Sequence, residues 1–231
     1  MDYPLIEALE DLNILLVDDD PFIQRLLETV LKDLGFARIE KAADGQQALA
    51  ILADNPIDLL LTDIQMPVMN GLELLKQVRC GNTGVSNNMR SIIITSFSNL
   101  DTLGTAIALD VNGFLEKPFK PMTVIKKILM ALSEDEESHR MGGDYQDIIT
   151  DLDSLAEVPA PLSERIKAAG SFRSVPAHML QPGMKLVGDI RTTQGTILLP
   201  DGFELTRQSI HRLHELSDVL EQQEFAVDST W

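Results

Sequence analysis

Acidic, hydroxyl and lysine side chains follow apolar segments at four places in the first half of the 231-residue chain. These residues are Asp18, Asp19, Asp20, Asp63, Thr95 and Lys117. Two carboxylates about 4 Å apart repel by about 4 kcal/mol at an effective dielectric of about 20, so three together need protonation, full hydration or a bound cation. Oxygen ligands that leave room for water favour Mg²⁺, which also accepts phosphate oxygens. Together with a lysine and a hydroxyl, such a metal site would be suited to receive a phosphoryl group. A carboxylate of the site can itself be the nucleophile.

Alternating strand and helix patterns would bring these side chains to one place. Short apolar segments predict five strands, at Leu12–Val17, Arg38–Lys41, Ile57–Thr62, Ser91–Thr95 and Gly113–Glu116. Helical spacing predicts five helices, at Pro21–Leu34, Gly45–Asp54, Gly71–Arg79, Asn99–Leu109 and Pro121–Leu132. Nearly all-apolar inner strands that alternate with helices indicate an α/β fold with a doubly wound parallel sheet. Ligands of such sheets bind beyond the carboxyl ends of the strands, where the chemical residues lie.

Ordinary structural roles compete with each chemical assignment. Asp20 before Pro21 is typical of a helix N-cap, and Gly35 suits the end of the same helix. Taken singly, Thr95 favours a strand, Lys117 a solvated charge, and the nearby Phe114 a core position. Their joint occurrence at successive strand ends favours the chemical interpretation.

Composition excludes several classes of protein. The formal net charge of −17 disfavours nonspecific nucleic-acid binding, which needs clustered lysine and arginine. Apolar residues make up 44% of the chain, enough for a core, but no apolar run approaches the roughly 18 residues of a membrane span. The acidic start MDYPLIEALEDL does not resemble a signal peptide. Cys80 is the one cysteine, which suits a reducing compartment, so a cytoplasmic protein is expected.

The distribution of charge predicts three segments. Residues 1–132 carry 11 basic and 18 acidic side chains, and residues 133–171 carry 3 and 10. Residues 172–231 carry 5 and 8, a net charge of −3. We therefore expect a domain over 1–132, an acidic linker over 133–171 and a small C-terminal module over 172–231. Apolar spacing in the linker predicts a short helix over Asp147–Leu155.

The segments LLVDDDP, LLLTDIQMPVMNGLELLKQVR, IIITSFS and GFLEKPF resemble the motifs of bacterial two-component receiver domains, as in the chemotaxis response regulator. The resemblance covers roughly Leu12 to Leu132 and implies a flavodoxin-like sheet of strand order 2-1-3-4-5. It implies that Asp63 is the phosphoacceptor, which a histidine kinase phosphorylates with Mg²⁺ as cofactor. The implied metal ligands are Asp18, Asp19, Asp63 and the backbone carbonyl of Gln65.

The same resemblance implies roles for residues around the phosphoryl group. Thr95 and Lys117 would bind its oxygens, and Phe114 would be the switch aromatic. Gln65 and Phe97 would tune dephosphorylation, and the bulky Phe97 predicts a long-lived phosphoryl group. The family often has a cis Lys-Pro bond at the position of Lys117-Pro118, and often a small residue where this chain has Ser96.

A different enzyme class also fits part of the pattern. A strand followed by D-x-D resembles haloacid-dehalogenase-type phosphatases, in which Asp18 would be the nucleophile and Asp20 the acid–base. Pro21-Phe22 departs from that motif, and Asp63 would have no role in it. Substitution of Asp63 discriminates the two, since a receiver would lose all activity.

The C-terminal module has weaker signals. Lys185–Ile190 and Thr196–Leu199 predict strands around a Gln194-Gly195 turn, with a second turn at Asp201-Gly202 and a helix from Thr206, its N-cap, to Leu216. The spacings L-x-P-G-M and G-x-x-L-L-x-x-G resemble a small β-rich segment of HD-GYP-type response regulators. His178, His211 and His214 are candidate metal ligands, but His211 and His214, three residues apart and beside Glu215, are more simply explained as the surface of a helix.

These features predict a response regulator without a separate catalytic output domain, whose own chemistry is phosphoryl transfer to Asp63 and slow autodephosphorylation. Its output would be a protein partner, possible candidates being an enzyme of cyclic-dinucleotide signalling or a homodimer through the fourth and fifth receiver helices. The alternative is a phosphate sink or kinase-competing receiver with a purely structural C-terminal module. Membrane and nucleic-acid partners are not expected.

Overall fold

The computed structural model describes residues 9–96, 100–134, 145–152 and 172–228. The described chain divides into two compact units. The first, the sheet unit, contains residues 9–96, 111–134 and 145–147. The second, the C-terminal unit, contains residues 100–110, 148–152 and 172–228.

The sheet unit is built on five parallel strands in the order β2-β1-β3-β4-β5, which confirms the predicted fold class and strand order. The strands are β1 Asn13–Val17, β2 Arg38–Ala42, β3 Leu59–Asp63, β4 Arg90–Thr95 and β5 Gly113–Glu116. Inner strands β1, β3 and β4 are almost wholly buried, as their continuous apolar runs require. The edge strand β2 exposes charged residues, which discourages pairing with another sheet.

Five helices follow these strands in the chain: α1 Pro21–Asp33, α2 Gly45–Asp54, α3 Gly71–Arg79, α4 Leu100–Ala108 and α5 Pro121–Ser133. Each agrees with its predicted range to within one residue at either end. The Asp20 side chain accepts a hydrogen bond from Phe22 N, so the predicted N-cap of α1 is confirmed. Gly35 follows α1 with φ 98°, a conformation that favours glycine.

Alternate strand residues supply the two faces of the sheet. Ile14 and Leu16 belong to a cluster with Leu27 of α1 and Ile128 of α5. Residues one position along, such as Leu15, belong to a second cluster on the opposite face, with side chains of α2 and α3. Because the side chains of an extended strand alternate between its two faces, helices pack against both faces of β1. This packing fixes the position of the carboxyl end of the strand.

The described part of the C-terminal unit contains two antiparallel strand pairs and, besides α4, a second α-helix. Strand β6 Phe172–Pro176 pairs with β9 Glu224–Asp228, and β7 Ile190–Arg191 pairs with β8 Ile197–Leu199. Helix α6 spans Arg207–Glu215. Thr206 Oγ1 accepts from Ser209 N at 3.0 Å, which confirms the predicted N-cap. Helix α4 packs against β8 and α6 within this unit.

Two predictions outside the sheet need correction, and one strand pair was missed. The strand expected over Lys185–Ile190 is interrupted: Lys185 and Leu186 form isolated antiparallel bridges, and only Ile190 belongs to a strand. The interruption occurs because Gly188 has φ 106° and the Asp189 side chain accepts from the backbone N–H of Asp201. The β6–β9 pair was not predicted. The helix expected over Asp147–Leu155 is absent through Asp151, since the successive β-branched Ile148, Ile149 and Thr150 disfavour a helix. Its last three residues lie outside the described residues.

Candidate functional site

The end of β1 places two carboxylates at the carboxyl edge of the sheet. Asp18 is fully buried, and Asp19 is exposed. Asp18 Oδ1 accepts from Asp20 N at 2.9 Å, which turns the chain sharply into α1. This turn leaves Asp18 Oδ2 directed to a different partner, the side chain of Lys117.

The end of β3 brings Asp63 to the same place. Asp63 Oδ1 accepts from Ile64 N at 2.8 Å, and Oδ2 accepts from Lys117 Nζ at 2.9 Å. Lys117 Nζ also donates to Asp18 Oδ2 at 2.9 Å, so one ammonium group joins carboxylates from two strands. The lysine follows β5 and is held by its own N–H, which donates to Thr95 O at 2.7 Å. The Lys117-Pro118 peptide bond is cis, as the resemblance implied.

Burial and neighbouring charges shift the pKa values of Asp63 and Lys117 for different reasons. Burial raises the pKa of Asp63 above its usual range and the Asp18 charge adds to this, so together they outweigh the hydrogen bond from Lys117. Burial by itself would lower the pKa of Lys117, but its hydrogen bonds to Asp18 and Asp63 outweigh burial and raise it. Lys117 is therefore firmly cationic, whereas the negative charge of Asp63 lacks full compensation.

The donor set fits a hard divalent cation. Ligand atoms of Asp18, Asp19 and Asp63 all lie within 4.8 Å of one another, the only such group of three or more acidic, histidine or cysteine side chains in the described parts of the chain. The group contains only carboxylates and includes the exposed Asp19, so it offers oxygen ligands and access to water, as Mg²⁺ requires. Among the described residues, His178, His211 and His214 belong to no such group.

The remaining predicted residues occupy different environments. Thr95 ends β4 and is 6% exposed, one position beyond Ile94, which is the register partner of Asp63. Phe114 lies in β5 and is buried. Gln65 is exposed two residues after Asp63. Phe97 lies outside the described residues.

Sequence reasoning missed two residues that shape this edge. Gln24 Nε2 donates to Asp18 O at 2.8 Å and to Ala42 O at 2.7 Å, which ties the ends of β1 and β2 to α1. Gly71 lies so close to β3 that a Cβ would stand 1.9 Å from Asp63 O. The glycine could have been noticed as the start of a predicted helix, but Gln24 carries no signal, since a helical glutamine is common.

Comparison with known proteins identifies the class. Residues 14–129 match the family described as the response regulator receiver domain. The chemotaxis protein CheY-3 of Vibrio cholerae is 33% identical over 119 residues, which cover 52% of this chain and 90% of that protein. The transcriptional regulatory protein MalR of Bacillus subtilis is 30% identical over 177 residues, 76% of this chain and 69% of that protein.

A solved structure of the chemotaxis response regulator CheY4 of Vibrio cholerae is also similar, at 31% identity and a TM-score of 0.48, covering 52% of this chain and 98% of that one. The family match and the identity to CheY-3 show that the chain belongs to the response regulators of two-component signalling and carries a CheY-like receiver domain. In the described parts of the chain, every helix is too short or too polar to cross a bilayer.

Proposed function

We propose that this chain is a cytoplasmic response regulator in which a histidine kinase phosphorylates Asp63. The observation that carries the proposal is the bridge from Lys117 Nζ to Asp18 and Asp63, at 2.9 Å each, inside a three-carboxylate cluster at the strand ends. Residues 1–132 would be the receiver, 133–171 a linker and 172–231 the C-terminal module.

The transfer needs positioning and charge neutralisation more than a general base. An oxygen of the Asp63 carboxylate attacks the phosphorus of a phosphohistidine; a P–O bond forms, the P–N bond breaks, and the imidazole leaves with a proton from solvent. Asp18, Asp19, Asp63 and the carbonyl of Gln65 would hold Mg²⁺, which neutralises charge on the transferring group. Lys117 would turn its ammonium group from the carboxylate to a phosphoryl oxygen, and Thr95 would donate to another.

The readout follows from the added charge. A phosphoryl group adds about −2 charge and strong acceptors. We propose that it draws Thr95, that Phe114 follows, and that the α4 and α5 region shifts between two pre-existing positions. Gln65 and Phe97 would set the lifetime of the phosphoryl group, and a Phe97→Glu variant with an unchanged hydrolysis rate would remove Phe97 from this role.

The test is intact mass after incubation with acetyl phosphate and Mg²⁺. We expect one adduct of about 80 Da, the mass of one phosphoryl group, in the wild type. The adduct should require Mg²⁺ and should be absent from Asp63→Asn. The control is Asp58→Asn, which replaces an acid that accepts a hydrogen bond from Asn13 outside the cluster and should leave the adduct unchanged. An adduct that survives in Asp63→Asn would contradict the proposal and favour the phosphatase alternative with Asp18 as nucleophile.

Output through a protein partner, such as an enzyme of cyclic-dinucleotide signalling or a second copy of the chain, is supported by the acidic C-terminal module and its resemblance to the HD-GYP-associated segment. The alternative is a phosphate sink whose C-terminal module only stabilises the chain. Affinity-purified partners that bind wild type and Asp63→Asn equally with acetyl phosphate present would favour that alternative.

DNA binding is a second candidate because the relative MalR is named a transcriptional regulatory protein. Residues 172–231 carry a net charge of −3, which opposes phosphate contacts. We therefore expect that the protein shows no salt-dependent binding to duplex DNA. Salt-dependent binding of the phosphorylated protein to a specific duplex would establish this candidate instead.

A further inference from the structure

Helix α1 begins directly after the carboxylates that β1 carries to the edge of the sheet, and Gln24 lies at the end of its first turn. This glutamine is half-buried. Its amide nitrogen donates two hydrogen bonds, to Asp18 O at 2.8 Å and to Ala42 O at 2.7 Å. An amide NH₂ group has two protons, so both are used in holding the ends of two strands.

The Gln24 amide continues the pairing of β1 with β2 beyond its last backbone pair. The register of the two strands ends at Val17 and Ala42. Asp18 N donates to Ala42 O at 3.3 Å, which is longer than most N–H···O bonds, and the amide then joins this carbonyl to that of Asp18. Chain segments beyond a hydrogen-bonded ladder open most easily. The bridge therefore restrains the segment that follows β1.

The same glutamine is bonded on both sides of Asp19, the exposed carboxylate of the cluster. Its backbone N–H donates to Asp20 O at 3.0 Å, while its side chain binds Asp18 O. Asp20 N in turn donates to Asp18 Oδ1 at 2.9 Å, which closes the turn. The position of Asp19 relative to Asp18 is therefore set by Gln24 in addition to the contacts within the turn.

The geometry of this turn matters for a magnesium ligand set. Mg²⁺ requires near-ideal octahedral coordination at about 2.0–2.1 Å, so its affinity depends on how well the ligands are held in place. Groups that hold the ligands without touching the ion typically change metal affinity by about 10- to 100-fold. Gln24 binds main-chain carbonyls and not the carboxylate oxygens, so it is suited to hold the ligands rather than to bind the ion.

We propose that Gln24 is a positioning residue of the magnesium site, and that its two side-chain hydrogen bonds raise the affinity of the carboxylate cluster for Mg²⁺. The inference rests on the magnesium site of the proposed function. The competing role is purely structural, in which the amide attaches α1 to the sheet and has no effect on the ion. That role changes the unfolding free energy without metal but leaves the affinity of the folded protein for Mg²⁺ unchanged.

Calorimetric titration of the full chain with Mg²⁺ separates these roles. Gln24→Met keeps the length and helix propensity of the side chain but removes both donors, so we expect its Kd to be about tenfold higher than that of the wild type. Gln47→Met is the matched control. Gln47 also lies in the first turn of its helix, α2, but its amide nitrogen donates to the N-cap Asp44. The Kd of this control should equal that of the wild type.

The dependence of phosphorylation on Mg²⁺ gives a second readout. The Mg²⁺ concentration that half-saturates adduct formation from acetyl phosphate should rise in Gln24→Met by the same factor as the Kd. The rate at saturating Mg²⁺ should stay that of the wild type, because the filled site has the same ligands. If Gln24→Met does not fold, Gln24→Asn, whose side chain is too short to reach both carbonyls, should raise the Kd in the same direction.

The outcomes separate this inference from the proposed function. An unchanged Kd in the folded variant, whatever its Tm in EDTA, overturns the positioning role, as does an equal rise in Gln47→Met. A lower rate at saturating Mg²⁺ with an unchanged half-saturating concentration also overturns it. In each of these cases the magnesium site of the proposed function stands. Absence of Mg²⁺ binding by the wild type would instead overturn that site and the inference with it.

Discussion

The sheet unit and the C-terminal module differ in how strongly the residues of each segment specify its conformation. Each central strand of the sheet is a continuous apolar run, and the helices that cover it have apolar residues at helical spacing. The sequence of each segment therefore favours the conformation that the segment adopts. In the module, β6 exposes three of its five side chains and β9 exposes one of its five, and strands β7 and β8 have only two and three residues. The comparison teaches that the sheet unit is built from segments whose own sequences favour their conformations, whereas the short strands of the module depend on tertiary contacts, including the contact of β8 with α4.

The largest effect is expected where backbone packs against backbone in the sheet unit. Gly71→Ala would place a methyl group 1.9 Å from Asp63 O and should cost at least about 3 kcal/mol of unfolding free energy. Gly195→Ala in the module has open space around its Cβ and only the strain of φ 84°, about 1 kcal/mol. Urea denaturation measures both, and equal losses would break the comparison.

Magnesium should stabilise the sheet unit through the carboxylate cluster. At a hundredfold excess over its Kd, a ligand specific for the folded state adds about 2.7 kcal/mol. We expect the Tm of the wild type to rise with Mg²⁺ and to fall with EDTA. Asp63→Asn should lose this response. Its Tm in EDTA should equal or exceed that of the wild type, because the raised pKa of Asp63 means that folding disfavours its charge. A normal Mg²⁺ response in Asp63→Asn would exclude Asp63 as a ligand.

The N-caps of α1 and α6 allow a comparison of the two regions through smaller changes in unfolding free energy. Asp20→Ala removes one cap bond in the sheet unit and should cost about 1 kcal/mol. Thr206→Ala removes a cap bond and the bond to Asp110, so about 2 kcal/mol is expected. Chemical denaturation measures the unfolding free energy that each variant loses. Thr206→Ser, which keeps the hydroxyl, is the control. Equal losses would mean that the bond to Asp110 adds nothing.

The smallest effect concerns two surface ion pairs that share Glu28. Lys32 and Lys41 hydrogen-bond to Glu28 and lower its pKa from 4.5 to about 2. Because the folded pKa is depressed, the stabilisation is complete above pH 4.5 and is lost as the pH falls towards 2. The difference in Tm between the wild type and Glu28→Gln should shrink over that interval and also shrink in high salt. A difference independent of pH would show that the pairs contribute nothing.

Sequence patterns predicted the parallel sheet and its helices because burial on both faces demands long apolar runs, whereas the strand order was implied by the resemblance to receiver domains. They also predicted which strand ends carry acids, and the structure places Asp18, Asp19 and Asp63 together. They could not predict that Gln24 ties two strand ends, since one glutamine has no pattern. Strands of two or three residues, such as β7 and β8, are too short for a periodicity, and the β6–β9 pairing is set by tertiary contacts.

The most direct test of the central claim is to locate the phosphoryl group on the chain. The protein is treated with acetyl phosphate and Mg²⁺, reduced with borohydride, which converts an aspartyl phosphate to homoserine, and digested for tandem mass spectrometry. The account predicts homoserine at position 63 alone, and no conversion when Mg²⁺ is omitted. Conversion at Asp18 or Asp19 with Asp63 intact would contradict it.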